Sequence, residues 1–123
     1  MPAPLRESAV HFLPLTPQVF QVLLSLYQGP LHGYSIIQDV RERTDGKMRL
    51  TASTLYDALA RLVEQGLIEE TDRPDSPGSG DARRRYYRLT RLGRQAAQEE
   101  VTRLEQLIRM ARTSGVTTRE TGR

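Results

Sequence analysis

The apolar residues of this chain change their period twice, and that change limits the fold more than any other feature. From Val19 to Val63 they recur at helical spacing; over Leu67 to Thr71 and Arg84 to Leu89 they alternate; from Ala97 to Ala111 they fall into a heptad. A chain written this way builds helices first, then a hairpin, then one longer helix. Its 123 residues suit a single small domain, and a hydrophobic content of 37% supports a modest core that gains from a second subunit.

Local signals set the boundaries. Thr16 can cap a helix with Pro17 in its first position, and Val19, Phe20, Leu23, Leu24 and Tyr27 follow on one face until Gly29-Pro30. A second helix is expected over Gly33 to Arg43 with Ile36, Ile37 and Val40 inside. After the stop at Thr44-Asp45-Gly46, "KMRL" reads as a brief extended piece. Thr51 caps a third helix from Ala52 to Gln65, with Leu55, Leu59, Leu62 and Val63 on its apolar face and Gly66 closing it. Two strands flank the turn-rich loop "DRPDSPGSGDAR", and in the second the period of two places Tyr87 and Leu89 inward. Thr90 then caps a helix from Arg91 to Arg112. Residues 1–14, with three prolines, read as a loose tail, 15–90 as the main domain, 91–112 as a dimerisation helix and 113–123 as a disordered tail.

The fold class expected is mainly α with a small β-hairpin: a winged helix-turn-helix plus a C-terminal dimerisation helix. In that architecture the third helix enters the DNA major groove by its N-terminal end, and the hairpin lies along the backbone or in a minor groove. The sequence at that end, "TAST", is small and hydroxylated. Small residues permit close approach, free N–H groups at the helix start favour phosphate, and hydroxyls can donate or accept.

Candidate DNA contacts are Thr51, Ser53, Thr54, Tyr56 and Arg61 on the third helix, Tyr34 at the start of the second, and Arg83, Arg84 and Arg85 at the wing. Asp57 is better placed to orient an arginine than to meet DNA. A charge run is often only a solvated surface, but these arginines sit at the base of a flexible loop beside a recognition helix. The formal net charge of +3 is mild support by itself. Ala97, Val101, Leu104, Leu107, Ile108 and Ala111 are the candidate dimer seam. Phe20, Tyr27 and Met110 are candidates for a small-molecule effector pocket between the helix from Pro17 and the last helix.

Other chemistry is poorly served. Without cysteine there are no disulfides, thiolate metal sites or cysteine nucleophiles, and no cofactor is expected. His32 and His11 lack a carboxylate at useful spacing, so no metal site is expected and a structural role suits His32. There is no phosphate-binding glycine loop and no nucleophile with a plausible base. Nothing near the N-terminus resembles a signal peptide and no segment reaches the roughly 20 apolar residues of a membrane span, so the expectation is a cytoplasmic protein without membrane contact.

The segments "LTPQVFQVLLSL", "GPLHGYSIIQDV", "STLYDALARLVEQGLIEE" and "DARRRYYRLTRLGRQA" together resemble the PadR-like transcriptional regulators. That resemblance covers about Leu15 to Arg112 and is carried by the ordered set HGY, TLY, QGLI and YYRLT. It implies a dimeric repressor of the short-tailed type, bound to double-stranded operator DNA with inverted half-sites. Members usually carry glycine where this chain has Ser53. Its multidrug-binding branch stacks planar compounds between tryptophans, of which this chain has none. The competing expectation is a winged-helix module that binds protein without specific DNA binding.

Overall fold

The four helices from Pro17 onward begin at a hydroxyl or imidazole cap. The computed structural model describes residues 5–72 and 85–119, and its elements run α1 (Leu5–Val10), α2 (Pro17–Tyr27), β1 (Leu31–His32), α3 (Gly33–Arg43), α4 (Ala52–Glu64), β2 (Ile68–Thr71), β3 (Tyr86–Leu89) and α5 (Arg91–Thr113). Thr16, Thr51 and Thr90 each accept an N–H from the third residue of their helix, Val19, Thr54 and Gly93. His32 does the same for α3 with its ring, Nδ1 accepting from the Ser35 N–H at 3.3 Å. Its role is therefore structural, as its isolation in the sequence implies.

Helix ends are closed with equal definition. Gly66, at φ +76°, lets the Leu67 N–H reach the Leu62 carbonyl and its own N–H reach Val63, both at 3.0 Å. Leu67 and Ile68 then enter the core, each 1% exposed. At the end of α3 the Thr44 hydroxyl donates to the Val40 carbonyl at 2.8 Å and accepts the Met48 N–H at 3.0 Å. The turn from α3 to α4 is thereby fixed across its width.

The core gathers Val22, Leu23 and Leu26 of α2, Ile36 and Val40 of α3, Leu55, Leu59 and Leu62 of α4, and Tyr87 and Leu89 of β3. Tyr87 and Leu89 point inward as their alternation requires. The hairpin gains a third strand, however: the antiparallel order is β1-β3-β2, with Leu31 opposite Tyr87 and Ile68 opposite Leu89. Two residues, Leu31 and His32, are too few to display a period of their own.

Two further expectations change. Leu5–Val10, inside the stretch read as a loose tail, is helical and packs along α5, with Ala9 fully buried and Arg6 bonded to Glu99 at 3.3 Å. Ala97, assigned to the dimer seam, is only 2% exposed because its own domain covers it. The uncovered face of α5 starts at Val101, beyond the buried Glu100, whose two carboxylate oxygens accept from Arg103 at 2.7 Å each. No helix among the described residues is long and apolar enough to cross a membrane, and none of their acidic or histidine side chains group into a metal site.

Candidate nucleic-acid interface

The first turn of α4 is an exposed helix start with the core directly behind it. Leu55 behind it is fully buried, whereas Thr51, Ala52, Ser53 and Thr54 all face solvent. The Thr51 hydroxyl works as a cap: it accepts the Thr54 N–H at 3.1 Å and donates to the Thr54 Oγ1 at 2.9 Å. Consequently the Thr54 hydroxyl keeps its own proton for an outside acceptor, and the N–H groups of Ala52 and Ser53 have no partner within the helix. Thr51 sets the geometry, and Ser53 and Thr54 are the groups free to reach out.

Tyr34 and Tyr56 form the adjoining edge. Tyr34, the second residue of α3, is 64% exposed, and Tyr56 of α4 is 48% exposed. The Tyr56 ring lies against Gly33, where a Cβ would sit 2.5 Å from its hydroxyl oxygen. A glycine at the start of α3 is thus what lets the two helices of the turn meet through that ring. Arg61 occupies the other flank of α4, seven residues after Thr54, beside a hollow of about 180 Å³ that Phe12, Thr16 and Ala58 also line.

At the wing base, Arg85 lies 3.5 Å from Glu70 and Arg88 2.7 Å from Glu69, all four side chains well exposed. Burial first, and then Glu70, push the Tyr87 hydroxyl above its usual pKa, with Arg85 pulling the other way, so this inward tyrosine stays neutral. Arg83 and Arg84 lie outside the described residues.

Sequence reasoning passed over one set of cations. Arg41, Lys47 and Arg49 are exposed around the α3–α4 turn, next to the start of α4. The signal was present in "KMRL", whose alternation of charged and apolar residues can be read directly.

The remaining candidates divide along α5. Val101, Leu107 and Ile108 are 42%, 45% and 53% exposed, Leu104 and Ala111 are half-buried, and together they leave an apolar stripe uncovered by the chain itself. The three effector-pocket candidates are not brought together in one chain. Tyr27 is held to the start of α5, its hydroxyl accepting from Gln98 at 2.8 Å and its ring 5.0 Å from the Arg94 guanidinium carbon. Met110 lies twelve residues past Gln98, about 18 Å further along the helix, and is 61% exposed.

Known proteins share this arrangement. A transcriptional regulator from Clostridium thermocellum is 28% identical and superposes with a TM-score of 0.64, covering 80% of this chain and 92% of that one. A PadR family transcription regulator from Clostridium difficile, 24% identical, superposes equally well at 0.64 over 77% of this chain and 94% of its own, a likeness of fold. An uncharacterised protein of Lysinibacillus sphaericus is 32% identical over 73 residues, which are 59% of this chain and 64% of that relative's length. The sequence profile of the PadR-like transcriptional regulators matches residues 22–99, from the middle of α2 into the first half of α5, and the chain belongs to that family of regulators rather than to any class of enzyme.

Proposed function

We propose that the protein is a sequence-specific DNA-binding transcriptional repressor that works as a homodimer. The carrying observation is the first turn of α4, where the Thr51 cap leaves the Thr54 hydroxyl proton and two backbone N–H groups facing outward on a rigidly backed helix. Such a turn can meet base edges and phosphate together. Tyr34, Tyr56, Ser53, Arg61 and Arg85 surround it as secondary contacts.

The apolar stripe of α5 supports the dimer, since Val101, Leu107 and Ile108 stay in water in the single chain and a second copy would cover them. Two copies related by a two-fold axis read inverted half-sites with centres about 34 to 36 Å apart. Occupying a promoter in this way blocks transcription sterically. A small-molecule effector fits the reading at the α2–α5 junction around Phe20 and Tyr27, which Met110 can meet only from the second copy.

Selection of the protein on a random duplex pool, followed by affinity measurements on the enriched and scrambled sequences, tests the proposal. An inverted repeat bound at least a hundredfold more tightly than its scrambled form is the expected result. No enrichment, with capture of a protein partner instead, makes the protein-binding module the correct reading.

A further inference from the structure

The wing base carries arginines, yet its charge is spent locally: Arg85 faces Glu70 and Arg88 faces Glu69 across β2 and β3. Arg43 on α3 is likewise paired with Asp39. The α3–α4 turn is different. Lys47 and Arg49 form no ion pair among the described residues, and neither carries its charge into the core.

Their placement is fixed. From 47 to 51 exposure alternates, with Lys47, Arg49 and Thr51 outward and Met48 and Leu50 inward. Leu50 is 7% exposed and Met48 packs on the core, so this short extended strip cannot rotate without exposing them. Asp45 and Gly46, at φ +54° and +76°, bend the chain into it, and Thr44 bonds to both Val40 and Met48 across the bend. Arg49 is steadied further by its Nε donating to the Gly46 carbonyl at 3.3 Å, which leaves both terminal guanidinium nitrogens free. The row ends at Thr51, the cap of α4. Arg49 lines a hollow beside the bend with Arg41, Glu42 and Asp45, yet forms no ion pair with either carboxylate among the described residues, and Lys47 stands exposed outside that hollow.

We infer that Lys47 and Arg49 are a phosphate-binding site for the DNA backbone, gripping the strand beside the first turn of α4 and supplying more of the salt-dependent affinity than the wing base does. The inference rests on the DNA-binding reading above. Two unpaired cations on a preordered strip lose little entropy on binding, whereas Arg85 and Arg88 must leave a carboxylate first.

The test is a salt series on the enriched duplex and on a random duplex, with the parent protein, Lys47→Gln/Arg49→Gln and Arg85→Gln. Each phosphate contact contributes about 0.9 to the slope of log K against log salt. The double variant should therefore show a slope shallower by about 1.8 per bound protomer, lose affinity for both duplexes by one factor, and keep their ratio. Arg85→Gln should change the slope less. Lys47→Gln alone, which removes no internal bond, should give half the effect and guards against a folding defect at Arg49. A double variant with the parental slope, or a larger change from Arg85→Gln, overturns the inference while leaving DNA binding intact. A parent protein with no affinity for either duplex removes the DNA-binding reading itself.

Discussion

The Tyr56 ring lies across Gly33 so closely that a Cβ there would come within 2.5 Å of its hydroxyl oxygen and 2.8 Å of the carbon bearing it. This contact sets the approach of α3 to α4 and leaves the Tyr56 hydroxyl at the edge of the surface assigned to DNA. Gly33→Ala should push the ring aside and cost about 1–3 kcal/mol, read from denaturant melting. In a Tyr56→Ala background the same change should cost much less; equal costs in both backgrounds would show that the ring does not fill this space.

Gly93 is the more severe case. A methyl there would overlap the Leu67 backbone carbonyl, which also accepts the Thr90 N–H at 3.1 Å, while the Thr90 hydroxyl donates to Gly66 at 2.6 Å. Backbone cannot swing away as a tyrosine ring can. Gly93→Ala is expected to destabilise at or above the upper end of the usual overpacking range, about 3 kcal/mol, and a melting midpoint close to that of the parent would contradict it.

Ile108 is 53% exposed in the single chain, so a charge there is harmless unless a second copy covers it. Ile108→Glu should leave the monomer fold and its far-ultraviolet spectrum intact and halve the mass measured by light scattering. A dimer that persists at micromolar concentration places the interface elsewhere.

Glu70 offers a gain of function. It lies 3.5 Å from Arg85 with both side chains more than half exposed, a geometry worth little to stability. Glu70→Gln keeps the shape, frees the arginine and removes a negative charge from the duplex-facing side. Duplex affinity should rise several-fold at low salt, with the gain fading as salt screens it; unchanged affinity would mean that Arg85 stays away from DNA.

Much of this was legible in the chain. Leu55, Leu59 and Leu62, with Thr51 before them and Gly66 after, define α4 almost to the residue, and the alternation around Tyr87 fixes which side of β3 is buried. What escaped has physical reasons. Prolines crowd residues 1–15 and hide α1, whose order comes from packing on α5 instead of from local propensity. β1 exists only because β3 offers it an edge. A heptad does not say who covers it, so Ala97 fits the seam by spacing while its own domain buries it. Side-chain pairing is equally invisible, and it is what separates Arg85 and Arg88, each facing a glutamate, from Lys47 and Arg49.

The central claim is that the first turn of α4 reads bases, and Thr54 tests it most directly. Its backbone N–H supplies the bond to the Thr51 cap, so Thr54→Ala removes the outward hydroxyl, and with it the acceptor of the Thr51 hydroxyl, while the capping bond itself is spared. Affinities of parent and variant should be compared on the enriched inverted repeat and on a random duplex. The account predicts a loss of about 1 to 3 kcal/mol on the repeat and almost none on random DNA. Equal losses on both would reduce α4 to a backbone grip, and no loss on either would contradict the claim outright.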